Sequence, residues 1–304
     1  MEKKKRLGRG LKEISHYFIS SDRNIKTKEE QSDSQKEEAC PACHVVSVID
    51  LFNPGRAALL TTKICQSLCK NGLRTLAIDV EERFPGVAFT LGCSIPGYLF
   101  SHFLTDSCKP DDLIYMLPSG LNILEPRLNI DDMQKMNTED ISSMLDILSA
   151  IESNTDVIVM RGYDHRITPL IRDALFVIEG GEKGHTPLIN AYNVIKSFIA
   201  CSVNTEITDI GIVVTGAAGE TEASSIYERI KKCSELYTSI TPFYYGYLPV
   251  IDNTTSASPI TSNIIERLKT KTQKDKRPIH FFEKLKTLVI KDYITQGELA
   301  ALSQ

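Results

Sequence analysis

Hydrophobic residues fall in short runs separated by amphipathic stretches along most of the chain. Val45–Asp50, Leu73–Asp79, Leu121–Glu125, Asp156–Met160, Ala174–Glu179, Ile210–Thr215 and Phe243–Leu248 are apolar runs of strand length. Between them, Ala57–Lys70, Thr138–Glu152, Pro187–Ala200, Glu220–Leu236 and Thr261–Thr270 repeat apolar positions at helical spacing. The first of these stops at Asn71-Gly72, a pair suited to ending a helix. Near-continuous apolar strands alternating with helices predict a parallel sheet covered on both faces. The expected fold class is therefore α/β, a doubly wound and mostly parallel sheet with helices on both faces. The chain shows no internal repeat.

The pattern differs at the two ends. Residues 1 to about 38 are crowded with Lys, Arg, Glu, Asp, Ser and Gln, and Ile25 is the one large aliphatic between Asp22 and Glu38. Ahead of that stretch, Leu7, Leu11, Ile14 and Phe18 recur at helical spacing beside Lys5, Arg6, Arg9 and Lys12. The expected organisation is a basic amphipathic segment (1–20), a flexible linker (21–44), an α/β domain (45–290) and a tail (291–304). The domain is expected to close on an amphipathic helix at 278–290, with Phe281, Phe282, Leu285 and Leu288 as its apolar stripe for a membrane or a partner.

Composition narrows the class. With 42% hydrophobic and 24% charged residues in 304, a packed core is expected and wholesale disorder is excluded. A net charge of -4 argues against a general nucleic-acid coat and makes DNA an unfavoured partner. No run approaches the ~18 apolar residues of a membrane span, and no apolar signal stretch follows the basic start, so a cytoplasmic protein is expected. The eight cysteines read as reduced core residues. Cys40-Pro-Ala-Cys43-His44 matches a haem-attachment pattern, but attachment needs export, and no second C-x-x-C is present to complete a zinc site. His102 and His165 have no recognisable nucleophile or carboxylate partner nearby in sequence and read as structural or surface residues.

In a doubly wound sheet, ligands sit at the carboxyl ends of the strands, which directs attention to the first strand-to-helix loop, Asp50-Leu51-Phe52-Asn53-Pro54-Gly55-Arg56-Ala57-Ala58. A phosphate-binding loop reads GxxxxGK[ST]: its N–H groups wrap the phosphates, its Lys reaches the terminal ones, and its hydroxyl binds magnesium. Here Asp50 stands at the first Gly, Gly55 is kept, Arg56 stands for the Lys and Ala57 for the hydroxyl. Pro54 removes a further N–H.

The succession VVSVID, this loop, ALLTTKICQSLCKNG and LRTLAIDVE resembles the start of the MinD/ParA family of dimerising, surface-positioning ATPases, whose fold is P-loop NTPase-like. Ser101-His102-Phe103-Leu104 and Pro118-Ser119-Gly120-Leu121-Asn122-Ile123-Leu124 look like that family's segments after the second strand. Thr186-Pro187-Leu188-Ile189-Asn190-Ala191-Tyr192-Asn193-Val194-Ile195-Lys196 is similar to a stretch of its flagellar-number branch, the FlhG-like proteins. The resemblance covers roughly Val45 to Pro259. It implies a nucleotide loop at Asn53, Pro54, Gly55, Arg56, Ala57 and Ala58, with Asp79, and Glu81 near it, where the family's switch region holds water or metal.

The catalytic letters depart from the family. Its signature Lys corresponds to Leu51, its phosphate Lys to Arg56 and its magnesium hydroxyl to Ala57. Arg161 stands where it has an acidic strand end, and Thr215 where it has the adenine-binding Asn. Phosphoryl transfer is positioning plus neutralisation of oxygens, and removing one charge stabiliser costs on the order of 10²–10³ in rate. Arg161 and Arg166, with Asp164 between them, are expected to form a solvated ion pair. The expectation is a pseudo-ATPase with no catalytic residue, no metal and no needed cofactor, acting as a regulator of positioning or assembly through protein contacts. The alternatives are a divergent ATPase that uses ATP and Mg²⁺ while cycling between monomer and dimer, and a DNA-partition factor.

The family resemblance extends to the ends. Arg6-Leu7-Gly8-Arg9-Gly10-Leu11 is similar to the leading segment of ParB-type proteins, whose tails engage ParA-type ATPases, and FlhG-like proteins engage a partner GTPase through an N-terminal segment. This implies a partner-docking peptide at residues 1–20, with Leu7, Leu11 and Phe18 as anchors and Arg9 as the polar contact. Family members carry a C-terminal amphipathic membrane helix, which implies peripheral contact with the inner face of the cell membrane; single-helix binding is weak unless a homodimer doubles it. A GTPase or ATPase partner should be lost with Leu11→Asp and kept with Lys3→Ala in a pull-down; equal losses would reduce the segment to a nonspecific basic tail.

Overall fold

The computed structural model describes residues 43–50, 52–93, 114–124, 127–171, 173–180, 186–201, 209–238, 240–270 and 280–302. The anchors Leu7, Arg9, Leu11 and Phe18, with the rest of 1–42, lie outside them. The strands are β1 (His44–Ile49), β2 (Thr75–Asp79), β3 (Ile114–Met116), β4 (Leu121–Leu124), β5 (Val157–Arg161), β6 (Asp173–Glu179), β7 (Asp209–Thr215) and β8 (Phe243–Leu248). The helices are α1 (Pro54–Lys70), α2 (Val87–Thr90), α3 (Ile130–Met133), α4 (Thr138–Glu152), α5 (Thr186–Cys201), α6 (Glu220–Tyr237), α7 (Ser258–Thr270) and α8 (Phe281–Leu302).

The strands form one sheet in the order β3-β4-β2-β5-β1-β6-β7-β8. All pairings are parallel except that of the edge strand β3 with β4. β1, β2, β5 and β7 are buried at every position, because alternate side chains enter separate cores. Ile49, Ile78, Ile158, Met160 and Ile212 pack with α4, α5, α6 and α8 on one face. Val46, Val48, Ala77, Val157 and Val159 pack with α1 and α7 on the other. The predicted α/β architecture is present, and every predicted strand and every predicted helix before the last occurs within three residues of its expected bounds. β3 escaped prediction because its three residues are too short for a periodic signal and are partly exposed.

The C-terminal helix corrects an expectation. Phe281, Phe282, Leu285 and Val289 are fully buried, and Leu288 packs partly buried on the same core, so the stripe assigned to a membrane or partner closes this domain instead. The fixing contact is Glu152, at the last turn of α4. Its carboxylate accepts the backbone N–H groups of Phe281 (2.6 Å) and Phe282 (3.0 Å), donors that a helix start otherwise leaves unpaired. Lys286 adds a 2.7 Å ion pair to Asp146, and the helix continues to Leu302, beyond the predicted boundary at residue 290.

Burial pushes the Glu152 carboxyl above the ordinary carboxylate range, even though the two N–H donors pull it down. The native state therefore holds this proton more tightly than the unfolded chain. The ionised group carries a stability cost that appears as pH rises past its unfolded pKa of about 4.3 and is complete above the raised native value. Glu152→Ala should lose about 1–3 kcal/mol by orphaning both donors. The stability of Glu152→Gln relative to the parent should improve from pH 4 to pH 7 in urea titrations; an advantage that shrinks with pH would contradict the sign.

Candidate functional site

β2, β5 and β1 lie side by side and end together, so Asp79, Arg161 and the loop after Ile49 share one end of the sheet. Register sets Asp79 directly opposite Arg161. The side-chain alternation of both strands turns the pair toward α1, on the side holding Ala77 and Val159. Chain direction changes at β1: the connection after β1 leads toward β2, whereas that after β6 leads away to β7. The crevice between β1 and β6 is thus the topological switch point at which such sheets bind ligands.

That crevice is occupied by the chain's own charges. Asp50 Oδ1 accepts the backbone N–H groups of Phe52 (3.1 Å) and Asn53 (3.0 Å). Arg56 forks onto the same carboxylate through Nε and Nη2 and reaches Glu179, at the end of β6, from Nη1 at 3.2 Å. Burial disfavours the Arg56 charge, but Asp50 and then Glu179 outweigh it and hold the guanidinium still more firmly protonated. Asn53 caps α1 by accepting the Arg56 N–H at 2.9 Å, and Pro54 occupies the first helical turn. Ala57 and Ala58 are buried beneath the loop.

Arg161 is expected from sequence to be solvated. It is instead fully buried, the largest side chain among the described residues to be so. Nε meets Asp79 Oδ1 at 2.7 Å, Nη1 donates to the Arg83 (3.0 Å) and Pro54 (3.4 Å) carbonyls, and Nη2 donates to the Glu81 carbonyl (2.5 Å). One guanidinium therefore ties the loops after β1 and β2 to the end of β5, because its planar fork offers donors in several directions. The other Asp79 oxygen accepts the Val87 N–H at 3.1 Å. Burial raises the Asp79 pKa, and Arg161 offsets this in part. Close packing demands glycine nearby: a Cβ on Gly86 would stand 2.6 Å from Asp79 Oδ2, and Gly162 holds φ +81 against Glu81.

Asp79 and Glu81, expected to face water or metal, are committed to the protein: Asp79 as described, Glu81 to Arg83 at 2.7 Å. Among the described residues no group of three or more His, Cys, Asp or Glu could hold a metal ion. The remaining cleft, lined by Ile49, Asp50, Ala57, Glu81, Arg161, Gly162 and Tyr163, has a cavity volume of only about 40 Å³. Ordinary small-molecule pockets run from ~300 to 1,000 Å³.

Arg166 pairs with Asp164 at 2.6 Å and Asp131 at 2.5 Å, and His165 is an exposed surface residue. Thr215 is buried at the end of β7, while Leu51 and His102 lie outside the described residues. Sequence reasoning missed Glu179, whose only signal was an acid closing an apolar run, and missed the role of Asp50.

As a sequence, the chain matches no protein-family model and no curated protein. As a structure it is similar to the MinD cell division protein of Aquifex aeolicus, with TM-score 0.51 and 16% identity over 77% of this chain and 100% of that one. A chain of the Aquifex aeolicus MinC:MinD cell division protein complex gives TM-score 0.50 and 16% identity, covering 78% and 100%. A plasmid partition protein from Borrelia burgdorferi gives 0.50 and 12%, covering 74% and 97%. The fold is MinD/ParA-like. Among the described residues no helix is long and apolar enough to cross a membrane.

Arg161→Met should lower stability by about 3–5 kcal/mol, because Asp79 would remain buried without its counter-charge and three carbonyls would lose donors. Urea midpoints measure this, and a loss under about 1 kcal/mol would mean that Asp79 is not dependent on Arg161.

Proposed function

We propose that this chain is a non-catalytic regulator on a MinD/ParA-like fold, nearest the FlhG-like branch, which acts in spatial positioning or assembly through protein contacts. The observation that supports it is the Asp50 carboxylate in the phosphate loop, accepting two loop N–H groups and the Arg56 fork. A carboxylate taking loop N–H groups uses the donors that such a loop offers to phosphate. To enter, a phosphate would have to break those bonds and draw Arg56 away from Asp50 and Glu179, leaving two uncompensated carboxylates beside it. Like charges about 4 Å apart cost roughly 4 kcal/mol near a protein surface.

The remaining parts argue the same way. Ala57 offers magnesium no hydroxyl, and Asp79 is held by Arg161 and Val87. The reading requires no ATP, Mg²⁺ or other cofactor. MinD occurs in a complex with MinC in a structural relative, and a protein partner is the corresponding proposal here, engaged through residues 1–20. Peripheral membrane contact would have to come from a surface other than the buried stripe of α8.

Calorimetric titration of MgATP into the purified chain, followed by a phosphate-release assay on the same sample, tests the proposal. No binding heat and no release are expected. Turnover that disappears in Arg56→Ala would overturn the reading and make the loop a divergent working site.

A further inference from the structure

Three phenylalanines stand exposed at the carboxyl end of the sheet. Phe84 is 63%, Phe89 62% and Phe52 42% exposed. The Phe84 and Phe89 rings meet edge to face with centroids 4.5 Å apart, a geometry that fixes both. A Cβ added to Gly55 would lie 3.5 Å from the Pro85 ring, so the loop carrying Phe84 abuts the start of α1, just beyond Phe52. Soluble domains expose single aromatic residues freely, but a group on adjoining loops marks a surface that something covers.

We propose that residues 1–20 of this same chain cover it, laying Leu7, Leu11, Ile14 and Phe18 against Phe52, Phe84 and Phe89. The segment repeats these apolar residues at one-turn spacing, the pattern of a helix that seats one face on an apolar surface. The segment is basic, carrying Lys3, Lys4, Lys5, Arg6, Arg9 and Lys12 against Glu2 and Glu13. Beside the patch, Arg83 is turned onto Glu81 and Arg127 onto the Glu82 carbonyl, while Glu82 is exposed and its carboxylate accepts from the Asn129 amide at 2.8 Å.

The tether reaches. Residues 21–42 join the segment to the start of β1, and a random coil of that many residues spans roughly 23–28 Å r.m.s.. β1 carries the chain only about 20 Å from its start to the loop of Phe52. Docking is then intramolecular, at an effective concentration on the order of millimolar, so a modest contact suffices to hold it. A partner that captures residues 1–20 uncovers the patch in the same event, which couples the two surfaces. The inference stands whether or not the crevice takes nucleotide.

The chain contains no tryptophan, so Phe84→Trp supplies a single fluorescent reporter within the patch. In the full chain its emission should be blue-shifted and protected from acrylamide. Adding Leu11→Asp should red-shift it and raise quenching severalfold, whereas Lys3→Ala should leave it nearly unchanged. The protected signal should also persist on hundredfold dilution. Identical emission with and without Leu11→Asp overturns the proposal, and protection lost on dilution overturns it in favour of a second copy on the patch. Far-UV circular dichroism checks the fold, and Phe89→Trp repeats the measurement if Phe84→Trp disturbs it.

Discussion

A guanidinium buried beyond the reach of water must have its charge balanced and its N–H groups paired, and the functional end of this domain is arranged around meeting that demand at Arg161. Burying an ion costs several kcal/mol unless geometry and hydrogen bonds return it. Here Asp79 supplies the counter-charge, and the carbonyls of Pro54, Glu81 and Arg83 take up remaining donors. With Arg161 in place, the start of α1 and the loop after β2 are bound to the end of β5, and the space between them is protein.

The second pair repeats the logic one strand further along. Asp50 and Arg56 neutralise each other across the first loop, and Glu179 extends the network to β6. A loop designed around an absent anion leaves N–H groups to be satisfied when the anion is gone. This chain satisfies them internally, which removes any need for ligand to complete the fold. The two networks follow from a few exchanges: an acid at the first loop position, Arg at the next-to-last, and Arg at the end of the β5 strand. In each network a carboxylate and a guanidinium answer one another, Asp50 with Arg56 and Asp79 with Arg161.

The sheet and its helices were legible because both cores impose strict periodicity. Strands such as β5 are buried at every position, and helices such as α4, with bounds matching those expected, carry clean apolar faces and an Asn137 cap. The loop itself was found because a glycine and a helix start must follow the first strand in this topology. What the sequence did not reveal lies in contacts between distant residues. Glu152 meets Phe281 across 129 positions, and Arg161 meets Asp79 across 82. An apolar stripe specifies that something will cover it, not what, so the face of α8 read as a membrane surface although α4 was its partner. The burial of Arg161 was illegible for the same reason: its charge predicts solvent unless the register of β2 and β5 is known.

The internal ion pairs that fill the crevice also tie down the loops around it. Segments held in this way still display side chains, Phe52 and Phe84 on loops and Phe89 on α2. Here their presentation is fixed by Asp50, Arg56, Asp79 and Arg161, so any control over the surface must come from what covers it. A tethered segment of the same chain is suited to that task, since it exchanges one apolar contact for another without requiring a bond to be made or broken.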